Sequence, residues 1–240
     1  ASAINCKLDD DLVKNLPDDI DIVHFHSPPS KNFPLPHVFT MHGNAEFGSK
    51  LPIQTIFISK NQAKRHGGDH FVYNGLSWSD NNLFEKGLKR YDFHFLGKAA
   101  WRRKNVVGAI KCIKKARAGK LNVLGGHRFN FSMGFRFTID PNIRFHGMVD
   151  DSYKYRLMKN SKALLMPIRW HEPFGLALIE SLYCGCPVLG TPYGSLPELI
   201  PPNVGFLSHK SEELIDAMRE VDQWSAKECH NYACQKFNSR

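Results

Sequence analysis

The sequence is poor in the features that mark several protein classes. Across 240 residues it holds only six cysteines (Cys6, Cys112, Cys184, Cys186, Cys229 and Cys234), too sparse for a disulfide scaffold at this length. They are expected to be reduced thiols of a cytoplasmic protein. No uninterrupted run of about 18 apolar residues occurs, so no membrane-spanning helix is expected. The opening ASAINCKLDD lacks the basic start and apolar stretch of a secretion signal. Internal repeats and low-complexity tracts are also missing, and 42% hydrophobic against 23% charged residues is the balance of a globular chain. Acidic residues are in deficit: 23 Asp and Glu face 32 Lys and Arg, a formal charge of +9.

That excess fits an anionic partner, whether a phosphate-bearing substrate, an acidic membrane surface or nucleic acid, and solvated surface accounts for it equally well. The densest basic run, Trp101-Arg102-Arg103-Lys104, is one cluster rather than a stripe. Basic residues are not interleaved with aromatics as in single-strand binders, and no nucleic-acid motif is present, so no nucleic-acid partner is expected. Cys184-Gly185-Cys186-Pro187 has the look of a metal-ligand pair but lies between a helix and an apolar strand, where buried thiols are common. No metal site is expected.

Short apolar runs alternate with helical patterns. Strands are expected at 21–26, 37–41, 54–59 and 70–73 in a first part, and at 92–97, 121–125, 142–147, 162–168, 187–191 and 204–207 in a second. The runs are continuous rather than alternating, as for strands covered on both faces. Helices are expected at 105–118 (started by Asn105), 151–160 (after Asp150), 174–184 (after Pro173, ending at Gly185), 211–222 and 225–237. Such alternation implies doubly wound parallel sheets. The polar stretch Ser77–Arg90 reads as a connector.

The segment Arg169–Pro197 carries the most chemistry. A buried strand ends at Ile168, and the polar loop Arg169-Trp170-His171-Glu172 follows at its carboxyl end, where ligands bind in open α/β sheets. Pro173 then opens a helix with Gly175 in its first turn, a place for close backbone approach and for phosphate. Glu180 lies eight residues after Glu172. If that stretch is helical, the two stand about 12 Å apart along the axis and within about 80° in direction. Two carboxylates would then flank the phosphate turn, one for a sugar's hydroxyls and one for a ribose's. Taken singly, each carboxylate reads better as ordinary structure, Glu172 as a charge at a helix N-terminus and Glu180 as a solvated residue.

Glu172-Pro-Phe-Gly-Leu-Ala-Leu-Ile-Glu180 resembles the E-x7-E motif of family four glycosyltransferases, retaining enzymes of the GT-B fold, and the likeness continues through Glu198. HFLGKAAWRRKN (94–105), Asn142–Val149, DIVHFH (21–26), TMHGN (40–44), ISKNQA (58–63) and VYNG (72–75) resemble further family segments in the family's order. The resemblance implies a GT-B-like α/β protein of two Rossmann-like parallel-sheet domains. The acceptor-side domain would be 1–88, reduced in size, and the donor-binding domain 89–222, with 223–240 a helix returning toward the first domain. It implies metal-independent transfer of a sugar, with retention, from a UDP- or GDP-linked donor to a hydroxyl of a glycan, lipid or small molecule, with no cofactor.

In catalysis the resemblance puts Glu172 on the donor sugar, Lys98 and Lys104 on the diphosphate, and His42 near the reacting carbon. In donor binding it puts Glu180 on the ribose, with Gly97, Arg103 and the backbone of Phe174, Gly175 and Leu176 around the sugar and diphosphate. The family usually has Arg at Lys98 and Lys-Gly at Lys104-Asn105, and the loop is one residue longer, so Arg103 competes with Lys104. The family's first strands and glycine-rich loop have no counterpart before Ala1. That leaves a second reading, a nucleotide-sugar-binding module that is non-catalytic or needs a partner. It also leaves open a homodimer and peripheral contact with a membrane surface.

Overall fold

The computed structural model describes residues 16–28, 33–46, 48–78, 84–131, 133 and 135–239. Cys6 and the opening segment lie outside them. The described residues up to Tyr73 form one compact unit and those from Asn74 onward another. The division falls ahead of residue 88, because Leu76, Trp78, Phe84 and Arg90 are tied to the second unit. Leu76 is hydrogen-bonded to Phe237 and Ser239, Trp78 stacks on Tyr183 at 4.0 Å and Phe84 on His230 at 4.7 Å. Arg90 donates to Cys184 O, Ser161 O and Cys186 Sγ.

The first unit is a parallel sheet ordered β1 (Val23–Phe25), β2 (His37–Met41), β3 (Thr55–Phe57), followed by α1 (Lys60–Arg65). Phe25, Phe39, Met41, Phe57 and Ala63 form its core. The strand expected at 70–73 reduces to a single bridge between Phe57 and Phe71. β3 ends at Phe57, so it offers the next segment only one paired position.

The second unit is a six-stranded parallel sheet flanked by helices. In chain order it runs β4 (Asp92–Leu96), α2 (Val106–Ala116), β5 (Leu121–Leu124), a short antiparallel hairpin of β6 (Phe129–Asn130) and β7 (Arg136–Phe137), β8 (Ile143–Gly147) and α3 (Asp151–Lys159). It continues with β9 (Ser161–Met166), α4 (Leu176–Tyr183), β10 (Val188–Gly190), α5 (Leu196–Leu199), β11 (Gly205–Leu207), α6 (Ser211–Arg219) and α7 (Ala226–Lys236). The sheet order is β11-β10-β9-β4-β5-β8. Alternate residues of each strand face opposite helical layers. Phe93 and Phe95 join Val123, Leu165, Ile113 and Ile215 in the core against α2 and α6. On the other face His94 Nε2 bonds Ser181 Oγ of α4 at 2.8 Å. Cys184 and Cys186 pack there with Leu124 and Met158, and the Cys186 thiol donates to Met158 O and Ser161 O. α7 packs along α4. No helix among the described residues is long and apolar enough to cross a membrane.

Candidate functional site

The chain leaves β4 outward to β5 and β8, then returns to β9 beside β4 and runs outward again to β10 and β11. That reversal opens a crevice at the carboxyl ends of β4 and β9, the place where open α/β sheets take ligands. Two loops leave there, residues 97–105 and 167–175, and three bonds sew them together. Asn105 Nδ2 donates to Pro167 O at 2.6 Å, Arg169 N donates to Arg103 O at 2.8 Å, and Lys104 Nζ meets Glu172 Oε2 at 2.6 Å. Asn105 can do this because it is left-handed, at φ 55°, while its side-chain oxygen caps α2 through Gly108 N. Asn tolerates that conformation better than most residues. A one-turn 3-10 helix, Arg102–Lys104, precedes it.

Glu172 is buried, and the same carboxylate oxygen also accepts from Trp170 Nε1 at 2.9 Å. Trp170 and Trp101 meet edge to face with centroids 6.3 Å apart. The Arg103 guanidinium lies 5.5 Å from the Trp101 ring and 5.2 Å from the Trp170 ring. Lys98 lies 5.2 Å over Trp101, and Lys104 the same distance over Trp170. Lys104 meets the carboxylate while Lys98 and Arg103 flank the neighbouring indoles, so these loops carry more cationic than anionic side chains, a balance that favours an anion.

α4 begins at Leu176, and Gly175 is its N-cap at φ 93°. This corrects the expectation of a helix from residue 174 with Gly175 in its first turn, since a positive φ cannot belong to a right-handed turn. The first turn has no side-chain cap, so it presents backbone amides of the kind that bind anions. Leu176 is exposed there, whereas Phe174 is buried with its ring edge-on to Phe237. The loop after β10 braces the segment from behind. Ser195 N donates to Glu172 O at 3.0 Å, and Ser195 Oγ to Phe174 O at 2.6 Å. Gly97 follows the end of β4, its amide bonded to Leu124 O.

Glu180 is held elsewhere. Lys154 Nζ of α3 meets it at 2.7 Å and Tyr155 Oη at 3.3 Å, with Asp151 on the same lysine at 2.8 Å. Burial works against the Lys154 charge, but its bonds to Asp151 and Glu180 outweigh it and raise its pKa. Burial, with Glu180 beside it, pushes the Tyr155 hydroxyl up to about 12. The two carboxylates are thus neutralised by different lysines.

His42 lies in the first unit, just past β2. Its Nε2 is 2.8 Å from His26 Nδ1, and the rings stack at 5.1 Å. His24 stands beside His26 at 4.7 Å and bonds Thr40. Burial, then the neighbouring histidines, lower the His42 pKa. The structure therefore brings Lys98, Arg103, Lys104, Glu172, Phe174 and Gly175 into one pair of linked loops, with Leu176 at the start of α4 beside them. Sequence reasoning passed over Trp101, Trp170, the Asn105 amide, Gly194, Ser195, Lys154 and Tyr155. A tryptophan in each crevice loop was the available signal. Among the described residues no cluster of three or more His, Cys, Asp or Glu could hold a metal ion.

The family of glycosyl transferases group 1 matches residues 82–236. A Klebsiella pneumoniae protein described as an uncharacterized 41.2 kDa protein in the cps region is 28% identical over 199 residues, 75% of this chain and 52% of that protein. A 42.6 kDa cps-region protein of the same organism is 34% identical over 76 residues, 30% of this chain and 19% of its own length. The chain thus spans about half the length of the first of these relatives. Among solved structures, AviGT4, a glycosyltransferase involved in avilamycin A biosynthesis, superimposes with a TM-score of 0.69 at 18% identity over 92% of this chain and 70% of that one. Anabaena HepE, in complex with UDP-glucose, gives 0.68 at 16% identity over 85% and 69%. At these identities the likeness carries the fold, the parallel-sheet α/β architecture of GT-B proteins.

Proposed function

The chain belongs to the family of glycosyl transferases group 1, and from that premise we propose that it moves a sugar from a nucleotide-diphosphate sugar to an acceptor hydroxyl, with retention of configuration and without a metal. The observation that carries the proposal is the Lys104–Glu172 pair, set beside the uncapped start of α4 where the strand order reverses. The diphosphate lies against the α4 amides with Lys98, Arg103 and Lys104 around it, and these cations stabilise the charge that grows as the sugar–phosphate bond breaks. An ammonium has three donors, so Lys104 can keep Glu172 while facing phosphate. Glu172 takes hydroxyls of the donor sugar and Glu180 those of the ribose. His42 acts at the reacting carbon. Retention without a carboxylate nucleophile means same-face attack, with the leaving phosphate accepting the acceptor's proton. HepE, a structural relative, is described in complex with UDP-glucose, which supports a UDP-linked donor. The cps-region relatives support a growing capsule polysaccharide as acceptor.

A second reading, a donor-binding module that transfers only with a partner, is favoured by one observation. Every proposed donor contact except His42 falls within the span that the family matches. Calorimetry with UDP, GDP and their sugars in the presence of a chelator tests binding, and NMR of the product's anomeric carbon tests retention. Loss of binding on chelation rejects metal independence. Binding without transfer to any hydroxyl acceptor selects the module.

A further inference from the structure

The segment joining β5 to β8 takes no part in that reading. It carries phenylalanine at 129, 131, 135 and 137, on and beside the β6–β7 hairpin. Their side chains are 46%, 66%, 73% and 56% exposed. They pack on one another instead of on the core, with ring centroids 4.0 Å apart for Phe129–Phe131, 5.4 Å for Phe129–Phe137 and 5.8 Å for Phe131–Phe135. Met133 and Ile139 extend the patch into solvent. The base of the hairpin is firmly tied. Arg128 donates to Thr138 O and Asp140 O, and Arg136 donates to His127 O with its guanidinium 4.6 Å from the Phe145 ring. A braced hairpin that holds an aromatic cluster in water is the kind of surface that marks an interaction site.

What surrounds the cluster selects the partner. Met133 and Phe135 line a cavity of about 290 Å³ together with Arg102, Lys111, Arg136 and Arg169, and no carboxylate lines it among the described residues. An apolar tip inside a cationic collar matches an anionic lipid surface, where rings enter the acyl boundary and basic side chains meet phosphates. A second copy of the chain would set collar against collar, and like charges repel. We propose that the β6–β7 hairpin docks this protein on an anionic lipid bilayer, with Phe131 and Phe135 inserting and Arg102 and Lys111 contacting headgroups. The proposal is independent of the donor-site reading, since none of these four residues is assigned to sugar transfer.

Co-sedimentation of the full chain with phosphatidylglycerol–phosphatidylcholine vesicles tests it, with pure phosphatidylcholine and high salt as controls. The protein binds the anionic vesicles at least about tenfold more tightly than the neutral ones and is released by salt. Phe131→Ser with Phe135→Ser loses about tenfold or more of that binding while leaving the thermal midpoint in place, because both rings are exposed. Lys111→Glu with Arg102→Glu removes the preference for anionic lipid. Folded wild type that stays in the supernatant with anionic vesicles overturns the proposal, as does serine-variant binding equal to wild type. A dimer in light scattering that the serine variant dissolves, with no vesicle binding, overturns it in favour of a second copy.

Discussion

Gly194→Ala tests how the Glu172 loop is held. Gly194 sits at φ 65°, and a Cβ there would stand 2.3 Å from Glu172 N and 2.4 Å from Glu172 O. Both are backbone atoms, and the oxygen already accepts the Ser195 amide, so no flexible side chain can swing away. Carbon contacts settle near 3.5 Å, so the loop must retreat by roughly 1 Å, carrying Glu172 off Lys104. Two costs add: about 1–2 kcal/mol for a left-handed non-glycine residue and about 1–3 kcal/mol for displaced packing. Gly87→Ala separates them, because Gly87 has φ 80° with open space around its Cβ position and carries only the first cost. Both lie in the second unit. Urea unfolding followed by tryptophan fluorescence is expected to place Gly194→Ala about 1–3 kcal/mol below Gly87→Ala, and calorimetry to show weakened UDP binding only in the former. Equal unfolding free energies for the two variants would refute the reasoning.

Three further outcomes follow from particular contacts. Glu180→Ala is expected to weaken nucleotide binding by about 1.5–3 kcal/mol in calorimetry, whereas Glu172→Ala mainly lowers turnover; unchanged affinity in Glu180→Ala removes the ribose assignment. Lys104→Met strands the Glu172 carboxylate, whose side chain is 8% exposed, with the Trp170 N–H as its one remaining side-chain donor among the described residues, and is expected to cost about 3 kcal/mol in urea unfolding. Adding Glu172→Gln should recover most of that loss, and a double variant no more stable than the single counts against the pair. Burial, then Arg90, lowers the His94 pKa from 6.5 to about 3, so between those values the unfolded chain binds the extra proton and stability falls as pH falls. From pH 8 to pH 5 that loss is about 2 kcal/mol, read from unfolding midpoints, and a His94→Gln variant with the same pH slope would show that His94 is not its source.

The six-stranded sheet was legible because most of its strands are largely apolar runs closed by a turn signal: Phe93 and Phe95, Leu121 and Val123, and Leu164 and Leu165 are all fully or nearly fully buried. Strands covered on both faces leave that mark whatever their neighbours. The 70–73 segment leaves a similar one, His-Phe-Val-Tyr, yet Val72 is 66% exposed. A strand needs a partner as well as a composition, and β3 is too short to supply one. The β6–β7 hairpin was illegible for the opposite reason. Its phenylalanines alternate with polar residues, Phe129-Asn130 and Arg136-Phe137, but each strand is two residues long, below any usable period.

The loops of the candidate site were legible in the sequence and their geometry was not, and Gly175 is the reason. Reasoning by helical rotation from Glu172 to Glu180 assumes one continuous helix. The chain instead turns through a positive φ at Gly175 before α4 begins, so the 100° step per residue applies only beyond Leu176. Glu172 is thereby released from the helix and reaches Lys104 across the crevice, while Glu180 keeps its helical direction toward Lys154. Arg103 and Lys104, the two candidates for the diphosphate, are set apart by the same kind of local geometry. A 3-10 turn spaces side chains 120° apart, and the left-handed Asn105 ends it after Lys104. Both cations reach the Trp170 ring, but Arg103 adds the Trp101 ring and Lys104 adds the Glu172 carboxylate. Residue identity and spacing name the candidates for such a site. One left-handed residue in each crevice loop, Asn105 and Gly175, then sets where its segment turns.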